Sequence, residues 1–229
     1  MNLLCTICVR GGSKGIKNKN LKIIAGKPLI YFTIKQALKS KIFDEVVVST
    51  DSKKIQKEAI KFGAKSWFLR PKKFATDKVK KELAIKHALF ESERKHKKFF
   101  DIIIDLDATS PLRNVSDIIK AYKHFKKKNA QILISGCKSR RNPYFNMFEV
   151  KNNKVQSVKI ANKSIHRRQD APQTYDFNAS IYIWKRKALL NFKSFYTKKT
   201  VFYEMPESRS WDIDSDFDFK IADFLLKNK

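Results

Sequence analysis

The decisive stretch of this sequence reads Leu3-Leu4-Cys5-Thr6-Ile7-Cys8-Val9, and it continues as Arg10-Gly11-Gly12-Ser13-Lys14-Gly15. A nearly continuous apolar run of this length is typical of a strand that is buried on both faces of a sheet. The glycine-rich turn leads to a segment with helical apolar spacing over residues 27–40. A buried strand, a glycine turn and a helix in this order predict the start of a parallel α/β sheet.

The same alternation continues along the chain. Strands are predicted over residues 45–49, 66–69, 100–106, 132–137, 178–184 and 201–205. Helices are predicted over residues 52–62, 79–94, 114–128 and 214–226, with Ser52 as one cap and Thr76 or Asp77 as another. Strands joined by helices predict a mostly parallel sheet with helices on both faces. In such sheets, ligands bind beyond the carboxyl ends of the strands. The total of 229 residues suits one α/β domain.

The charge balance is strongly basic. Lysine and arginine total 50 against 22 aspartates and glutamates, which gives a formal charge of +28. Such a charge raises the alternative of a nucleic-acid-binding protein. However, most of the basic residues are lysines spread along the chain, whereas specific nucleic-acid sites favour arginine. We therefore expect solvated lysine-rich faces, attraction of anionic ligands, and no nucleic-acid partner.

The cysteine content and the hydropathy of the sequence indicate the cellular compartment. Cys5, Cys8 and Cys137 lie in apolar segments and are expected to be buried, reduced thiols. Cys5 and Cys8 stand three positions apart on a strand, which points their side chains to opposite faces and argues against a shared metal. No apolar stretch approaches the ~18 residues that a membrane span needs, and no leader pattern is present. These features predict a cytoplasmic protein with no membrane partner.

The first loop is a candidate phosphate site. Its glycines let backbone N–H groups approach an anion closely, and Arg10, Lys14 and Lys19 add positive charge. The loop lacks the spacing of a Walker motif and of a dinucleotide-binding fingerprint. A plain glycine turn between a strand and a helix is the alternative.

The segment Asp212-Ile213-Asp214 is a candidate Mg²⁺ site. Alternate residues of an extended chain point to one side, so the two carboxylates can converge on a cation that substrate phosphates also bind. The alternative is that acidic residues simply precede a helix, whose N-terminus favours negative charge. Asp216 and Asp218 fit the first turn of that helix and are expected to cap it.

Two further loops carry polar residues at suitable places. Residues 105–113 end a strand in two carboxylates and continue into Thr109, Ser110 and Arg113. The alternative there is a helix entry capped by Asn114 or Ser116. Residues 166–173 carry paired arginines in an irregular region, which suit an anion clamp as well as they suit a solvated loop or the rim of an interface.

These segments, in this order, resemble the acylneuraminate cytidylyltransferase (CMP-sialic acid synthetase) family over nearly the whole chain. The resemblance rests on the following strings: residues 10–16 with Lys19-Asn20, Val48-Ser49-Thr50-Asp51, Leu69-Arg70-Pro71, Ala75-Thr76-Asp77, residues 109–113, residues 168–173, residues 178–183 and Asp212-Ile213-Asp214. One such string is weak, but eight in order are highly specific.

The resemblance implies a Rossmann-like nucleotidyltransferase that couples CTP to a nonulosonic (nine-carbon 2-keto) sugar acid, with Mg²⁺ as cofactor. It assigns CTP binding to Arg10, Gly12, Ser13, Lys14, Lys19, Asn20, Arg70 and Thr76. It assigns the sugar site to Asp107, Thr109, Ser110, Arg113, Arg168, Gln173 and Asn178. It assigns the metal to Asp212 and Asp214, and catalysis to Arg10, Lys14, Lys19 and Asp214.

The resemblance also implies a homodimer, in which an excursion over residues 141–175 packs against the second subunit and reaches the sugar site. Two departures from the family pattern concern the sugar. Asp107 replaces an amide that contacts the sugar in many relatives, and Asp176-Phe177 stands where Arg-Pro is frequent. Because a carboxylate accepts but does not donate hydrogen bonds, the sugar group that it meets must differ. The Asp105-Leu106-Asp107-Ala108 form resembles legionaminic acid synthetases, with N-acetylneuraminic acid or another 2-keto sugar acid as the alternative acceptor.

Overall fold

The computed structural model describes residues 1–12, 15–160, 165 and 167–228, so the predictions for Ser13 and Lys14 lie outside the described residues. The strands are β1 (Leu3–Cys8), β2 (Ile23–Ile24), β3 (Lys27–Pro28), β4 (Glu45–Ser49), β5 (Ile102–Leu106), β6 (Ile132–Lys138), β7 (Phe148–Lys151), β8 (Lys154–Ser157), β9 (Tyr175–Lys185) and β10 (Thr200–Glu204). The α-helices are α1 (Leu29–Ser40), α2 (Lys53–Lys61), α3 (Lys81–His96), α4 (Val115–Lys127), α5 (Arg186–Leu190) and α6 (Asp216–Lys227).

The central sheet is mostly parallel, as the alternating pattern predicts. Within the described residues it has six strands in the order β10-β6-β9-β5-β1-β4. Strand β1 pairs in parallel with both β4 and β5, and β10 pairs in parallel with β6. Strand β9 is antiparallel to both of its neighbours. The carboxyl ends of β1 and β5 therefore meet at one edge of the sheet.

Helices cover both faces of this sheet. Leu3, Cys5 and Ile7 of β1 pack in a core that includes apolar residues of α1, α2 and α4. Leu4 packs in the core on the opposite face, together with Ile85 of α3. Because successive side chains of a strand point to opposite faces, a strand between two helical layers must be apolar throughout. This requirement explains the nearly continuous apolar run of residues 3–9, in which the polar Thr6 is buried and donates a hydrogen bond to Asp105.

The predicted helix boundaries are mostly confirmed, and the caps explain them. The Ser52 side chain accepts a hydrogen bond from the Ile55 backbone N–H at the start of α2. Asn114 and Asp117 form a reciprocal capping box at the start of α4, and Ser215 with Asp218 form one at α6. Asp218 therefore caps α6, as predicted from the acidic cluster.

Two local predictions are wrong. The predicted strand over residues 66–69 is absent from the described structure, where only Lys65 forms a bridge, with Val47. Beyond it, Trp67 and Phe68 pack against other aromatic rings instead of extending the ladder. Helix α3 begins at Lys81, so neither Thr76 nor Asp77 caps it. The Asp77 carboxylate instead accepts a hydrogen bond from Arg10, far away in the sequence.

The predicted excursion contains a hairpin of strands β7 and β8. Val150 lies opposite Val155 in its register, and every residue of both strands is exposed. Phe148, Val150 and Val155 are each more than half exposed, at 65%, 63% and 70%. Among the described residues, nothing covers these apolar side chains.

The three cysteines are free thiols, and their placement is largely as predicted. Cys5 and Cys137 are buried, and Cys5 and Cys8 belong to opposite faces of the sheet. Cys8 departs from the prediction because it is only partly buried and lines a cleft. Burial and the nearby Asp105 carboxylate raise the pKa of the Cys8 thiol well above its ordinary value. In the described part of the chain, no helix combines the length and apolar character that crossing a membrane requires.

Candidate active site

A cleft opens at the carboxyl ends of β1 and β5, where the topology predicts a ligand site. The described residues line two adjoining lobes of about 270 Å³ and 330 Å³, which share Cys8 and Arg10. The first, here called the Arg70 lobe, is lined by residues that include Arg70, Phe74, Thr76, Asp77 and Lys81. The second, here called the Lys19 lobe, is lined by residues that include Gly15, Lys19, Asn20, Asp107, Thr109 and Asp214.

The Arg70 lobe contains two of the predicted CTP residues besides Arg10. Arg70 is buried and donates from Nη2 to the Val9 carbonyl oxygen at 2.7 Å, which ties it to the end of β1. Thr76 lies on the exposed rim. Arg10 forms an ion pair with Asp77 across the lobe opening. This lobe offers fixed cationic donors beside the aromatic ring of Phe74.

The Lys19 lobe brings the first loop against the acidic segment near the C-terminus. Lys19 Nζ lies 3.3 Å from Asp214 Oδ1 and also donates to the Ile213 carbonyl oxygen. A Cβ atom on Gly15 would lie 2.3 Å from the Asp214 carbonyl oxygen, so only glycine permits this approach. Asn20 is buried and donates to the Arg10 carbonyl oxygen. Segments almost 200 positions apart in sequence thus share one lobe.

Gly12 also lies in the first loop, but it differs from Gly15. Among the described residues beyond its chain neighbours, no atom lies within 4 Å of a Cβ built on Gly12, so these residues do not require glycine there. Open space beside a glycine suits the close approach of a ligand to the backbone. The Gly11 N–H donates to Asp51 Oδ1 at 2.8 Å, which fixes the beginning of the loop on the residues that follow β4.

The acidic pair fits a Mg²⁺ ion. Oδ1 of Asp212 is buried and has no hydrogen-bond partner among the described residues. Burial and the neighbouring carboxylates of Asp107 and Asp214 raise the pKa of Asp212 to about 7. Carboxylates that repel one another in this way form a hard oxygen donor set, which a divalent cation would stabilise. The described residues hold no group of three or more metal-ligating side chains.

Lys81 is a site residue that sequence reasoning missed. Its Nζ lies 2.7 Å from Asp105 Oδ2 and 2.6 Å from Asp107 Oδ2. Burial acts to lower the pKa of Lys81, but the two carboxylates outweigh burial and raise it. Burial likewise acts to raise the pKa of Asp107, and the ion pair with Lys81 lowers it below the ordinary value. In a chain this rich in lysine, no local pattern distinguishes Lys81 from the others.

Asp107 and Thr109 face the Lys19 lobe, in line with their predicted place in the sugar site. Ser110, Arg113 and Asn178, which were predicted to contact the sugar, are buried instead. Arg113 donates to the Ser180 carbonyl oxygen at 2.6 Å and to Thr33 Oγ1 at 3.1 Å. Burial lowers the pKa of Arg113 to about 10. This burial indicates a structural role for Arg113, behind the wall of the cleft.

Ser110 and Asn178 belong to the same buried framework. The Ser110 hydroxyl donates to the Asn178 carbonyl oxygen at 3.1 Å. The Asn178 side chain accepts from Ser135 and donates to Ser210 at 2.9 Å. With their polar atoms engaged inside the protein, both residues support the cleft instead of lining it.

Arg168 and Gln173 lie elsewhere. They line a separate hollow of about 330 Å³, which shares none of its described lining residues with the cleft. Arg168 donates to the Ser139 carbonyl oxygen at 2.8 Å, and Asp176 accepts from the Ser139 hydroxyl. Within one chain, the structure does not bring these excursion residues to the candidate site.

Comparison with known proteins identifies the family. A family model described as cytidylyltransferase matches residues 4–224. The chain is 47% identical over 227 residues to the CMP-N,N'-diacetyllegionaminic acid synthase of Campylobacter jejuni, with 99% of this chain and 96% of that protein covered. It has the same identity and coverage with the post-translational flagellin modification protein B of Campylobacter coli.

A solved structure shares the fold. The structure of a CMP:2-keto-3-deoxy-manno-octonic acid synthetase complexed with CTP matches with a TM-score of 0.73 at 17% identity, and covers 100% of this chain and 99% of that chain. The predicted Rossmann-like architecture and the family resemblance drawn from the motifs are both confirmed. The chain belongs to the cytidylyltransferase family.

Proposed function

We propose that this protein activates a nonulosonic acid of the legionaminic type with CTP, giving the CMP-sugar and pyrophosphate. The observation that carries the proposal is the Lys19 lobe, where cations of the first loop meet the Asp212 and Asp214 segment beside Asp107. The sugar class is supported by the 47% identity to the Campylobacter jejuni synthase.

The reaction is a direct nucleotidyl transfer. The anomeric hydroxyl oxygen of the sugar acid attacks the α-phosphorus of CTP, the bond from that phosphorus to the leaving oxygen breaks, and the hydroxyl proton is released. Negative charge grows on the departing pyrophosphate. Arg10 and Lys19, which border the Lys19 lobe, are proposed to stabilise that charge together with Lys14. Arg70 and Thr76 are proposed to hold the nucleotide in the adjoining lobe.

Magnesium is proposed as the cofactor, held by Asp212 and Asp214 together with phosphate oxygens. A Mg²⁺ ion in such a site supplies charge neutralisation and orientation of the phosphates. Lys19 forms an ion pair with Asp214. When the substrate is bound, the Lys19 ammonium group is proposed to contact both this carboxylate and the substrate anion. The chain's own contribution is to hold acidic and basic groups a few ångströms apart before substrate arrives.

A homodimer is proposed as the working form. The exposed apolar hairpin β7–β8 supports it, because a second copy of the chain would cover these side chains. Arg168 and Gln173 lie within the same excursion as the hairpin and are proposed to reach the sugar site of the second subunit.

The test is pyrophosphate release with CTP, Mg²⁺ and each of four acids: N,N'-diacetyllegionaminic, N-acetylneuraminic, pseudaminic and 3-deoxy-manno-octulosonic. We expect strong turnover with the legionaminic acid and at least 10-fold lower kcat/KM with the others. Preference for N-acetylneuraminic acid would retain the reaction and overturn the proposed acceptor. A folded protein that binds CTP and releases pyrophosphate with none of the acids would overturn the proposed function.

A further inference from the structure

Lys81 lies where the lobes of the cleft meet. It lines the Arg70 lobe, and its ammonium group contacts Asp107, which lines the Lys19 lobe. The side chain of Lys81 is 34% exposed, whereas that of Asp105 is fully buried. Lys81 is therefore a link between a buried carboxylate behind the site and a carboxylate that faces into it.

The ammonium group is held from several sides. Asp105 Oδ2 lies 2.7 Å from it, and Asp105 is itself fixed by a hydrogen bond from the Thr6 hydroxyl at 2.7 Å. The ring centroid of Tyr182 lies 4.9 Å from Lys81 Nζ, within the range of a cation–π contact. The ion pair with Lys81 is sufficient to neutralise the buried Asp105 carboxylate. The additional contact with Asp107 reaches a carboxylate that is 20% exposed, so Lys81 also acts on a group that faces the cleft.

The effect on Asp107 is to fix its carboxylate. Oδ2 contacts Lys81 at 2.6 Å, and Oδ1 accepts from the Thr109 hydroxyl at 3.2 Å. A carboxylate has about four lone-pair positions, so acceptor capacity remains for a molecule in the Lys19 lobe. An ionised carboxylate held in one orientation selects ligand groups that donate a hydrogen bond.

We propose that Lys81 is a positioning residue for sugar recognition: it holds Asp107 as an oriented acceptor for an N–H or O–H group of the sugar acid. This inference rests on the proposed function. It also accounts for the charge balance of the site, because the sugar acid carries its own carboxylate and enters a lobe that is lined by the carboxylates of Asp107 and Asp214. The Lys81 cation offsets the repulsion that an unpaired Asp107 would add.

The test is a double-mutant cycle of Lys81→Met and Asp107→Asn, with KM measured separately for the sugar acid and for CTP. We expect Lys81→Met to raise KM for the acid at least 10-fold while KM for CTP changes less than 2-fold. In the Asp107→Asn background, Lys81→Met should add less than 2-fold, because the lysine acts through Asp107. Lys81→Arg should recover part of the loss. Lys95→Met, which removes the same charge from the exposed end of α3, is the control.

The outcomes separate this inference from the function on which it rests. Wild-type turnover with an unchanged KM for the acid in Lys81→Met, or with equal losses in both backgrounds, would overturn the role of Lys81 alone. Wild-type protein that turns over none of the acids would overturn the proposed function, and the role of Lys81 with it. If Lys81→Met does not fold because Asp105 stays charged and unpaired, Lys81→Met/Asp105→Asn removes that charge and is measured against Asp105→Asn.

Discussion

The cleft and the excursion differ in how their side chains are hydrogen-bonded and packed. Around the cleft, buried polar groups such as Asp105, Arg113 and Asn178 find partners within the same chain. In the excursion, the hairpin exposes apolar side chains such as Phe148 and Val155, which the described part of the chain leaves uncovered. The difference indicates that one chain satisfies the polar groups that build the cleft, whereas the hairpin is the surface on which we propose that a second copy packs. Substitutions in the two regions should therefore change different measurements.

The largest effect is expected from Asp214→Ala in the cleft. This side chain is 81% exposed, so its loss should leave the fold intact while removing the proposed metal ligand and the partner of Lys19. We expect kcat to fall about 1000-fold, equal to about 4 kcal/mol of barrier. Asp216→Ala, which removes an exposed carboxylate two positions away, is the control and should change kcat less than 2-fold. Retention of more than about a tenth of kcat by Asp214→Ala would contradict its role.

The next effect compares two arginines that the sequence placed together in the sugar site. Arg113→Met should lower the free energy of unfolding by about 3 kcal/mol, because buried acceptors that include the Ser180 carbonyl oxygen lose a charged donor. Arg168→Met in the exposed excursion should change it by less than about 0.5 kcal/mol. Urea denaturation monitored by circular dichroism measures both values. Similar losses from the two substitutions would show that the regions do not differ in this way.

A smaller effect tests how tightly the first loop packs on the acidic segment. Gly15→Ala should cost about 2 kcal/mol of stability, because its Cβ would overlap the Asp214 carbonyl oxygen. Gly12→Ala has open space around its Cβ and should leave the melting temperature within a degree or two. Differential scanning fluorimetry on both variants provides the comparison. An unchanged melting temperature in Gly15→Ala would mean that the loop and the Asp214 segment are not held in contact.

The smallest effect on stability is expected in the excursion, where the assembly should change instead. Val150→Lys/Val155→Lys places two charges on the opposed apolar pair of the hairpin. We expect a shift from dimer to monomer in light scattering, with a melting temperature lowered by only a few degrees. Gln156→Lys adds charge at a polar position of the same strand and should remain dimeric. A double variant that keeps the wild-type mass would contradict the hairpin as the interface.

Local sequence predicts the elements well wherever neighbouring residues decide them. The β-branched run of residues 45–49 is a strand with those bounds, and Ser52 caps the helix that follows. Prediction fails where distant contacts decide the outcome. Asp77 is engaged by Arg10 and does not cap α3, and this pairing spans 67 positions of the sequence.

The same limit applies to the site. The glycine loop and the Asp-x-Asp pattern both point to residues that line the Lys19 lobe, because the charged groups of each pattern lie within a few residues of one another. Lys81 meets Asp107 only through the packing of α3 against the sheet, so no sequence pattern marks it. Arg113 lies in a motif that points to the site, yet the fold turns its guanidinium inward to β9. Motifs therefore predict which loops form a site better than which side chains face it.

The most direct test of the central claim is the identity of the nucleotide product. Wild-type protein is incubated with CTP, Mg²⁺ and an equimolar mixture of N,N'-diacetyllegionaminic and N-acetylneuraminic acids, and the products are resolved by mass spectrometry. The account predicts the CMP-ester of the legionaminic acid as the dominant product, released together with pyrophosphate. A mixture dominated by CMP-N-acetylneuraminic acid, or one with no CMP-sugar at all, would contradict it.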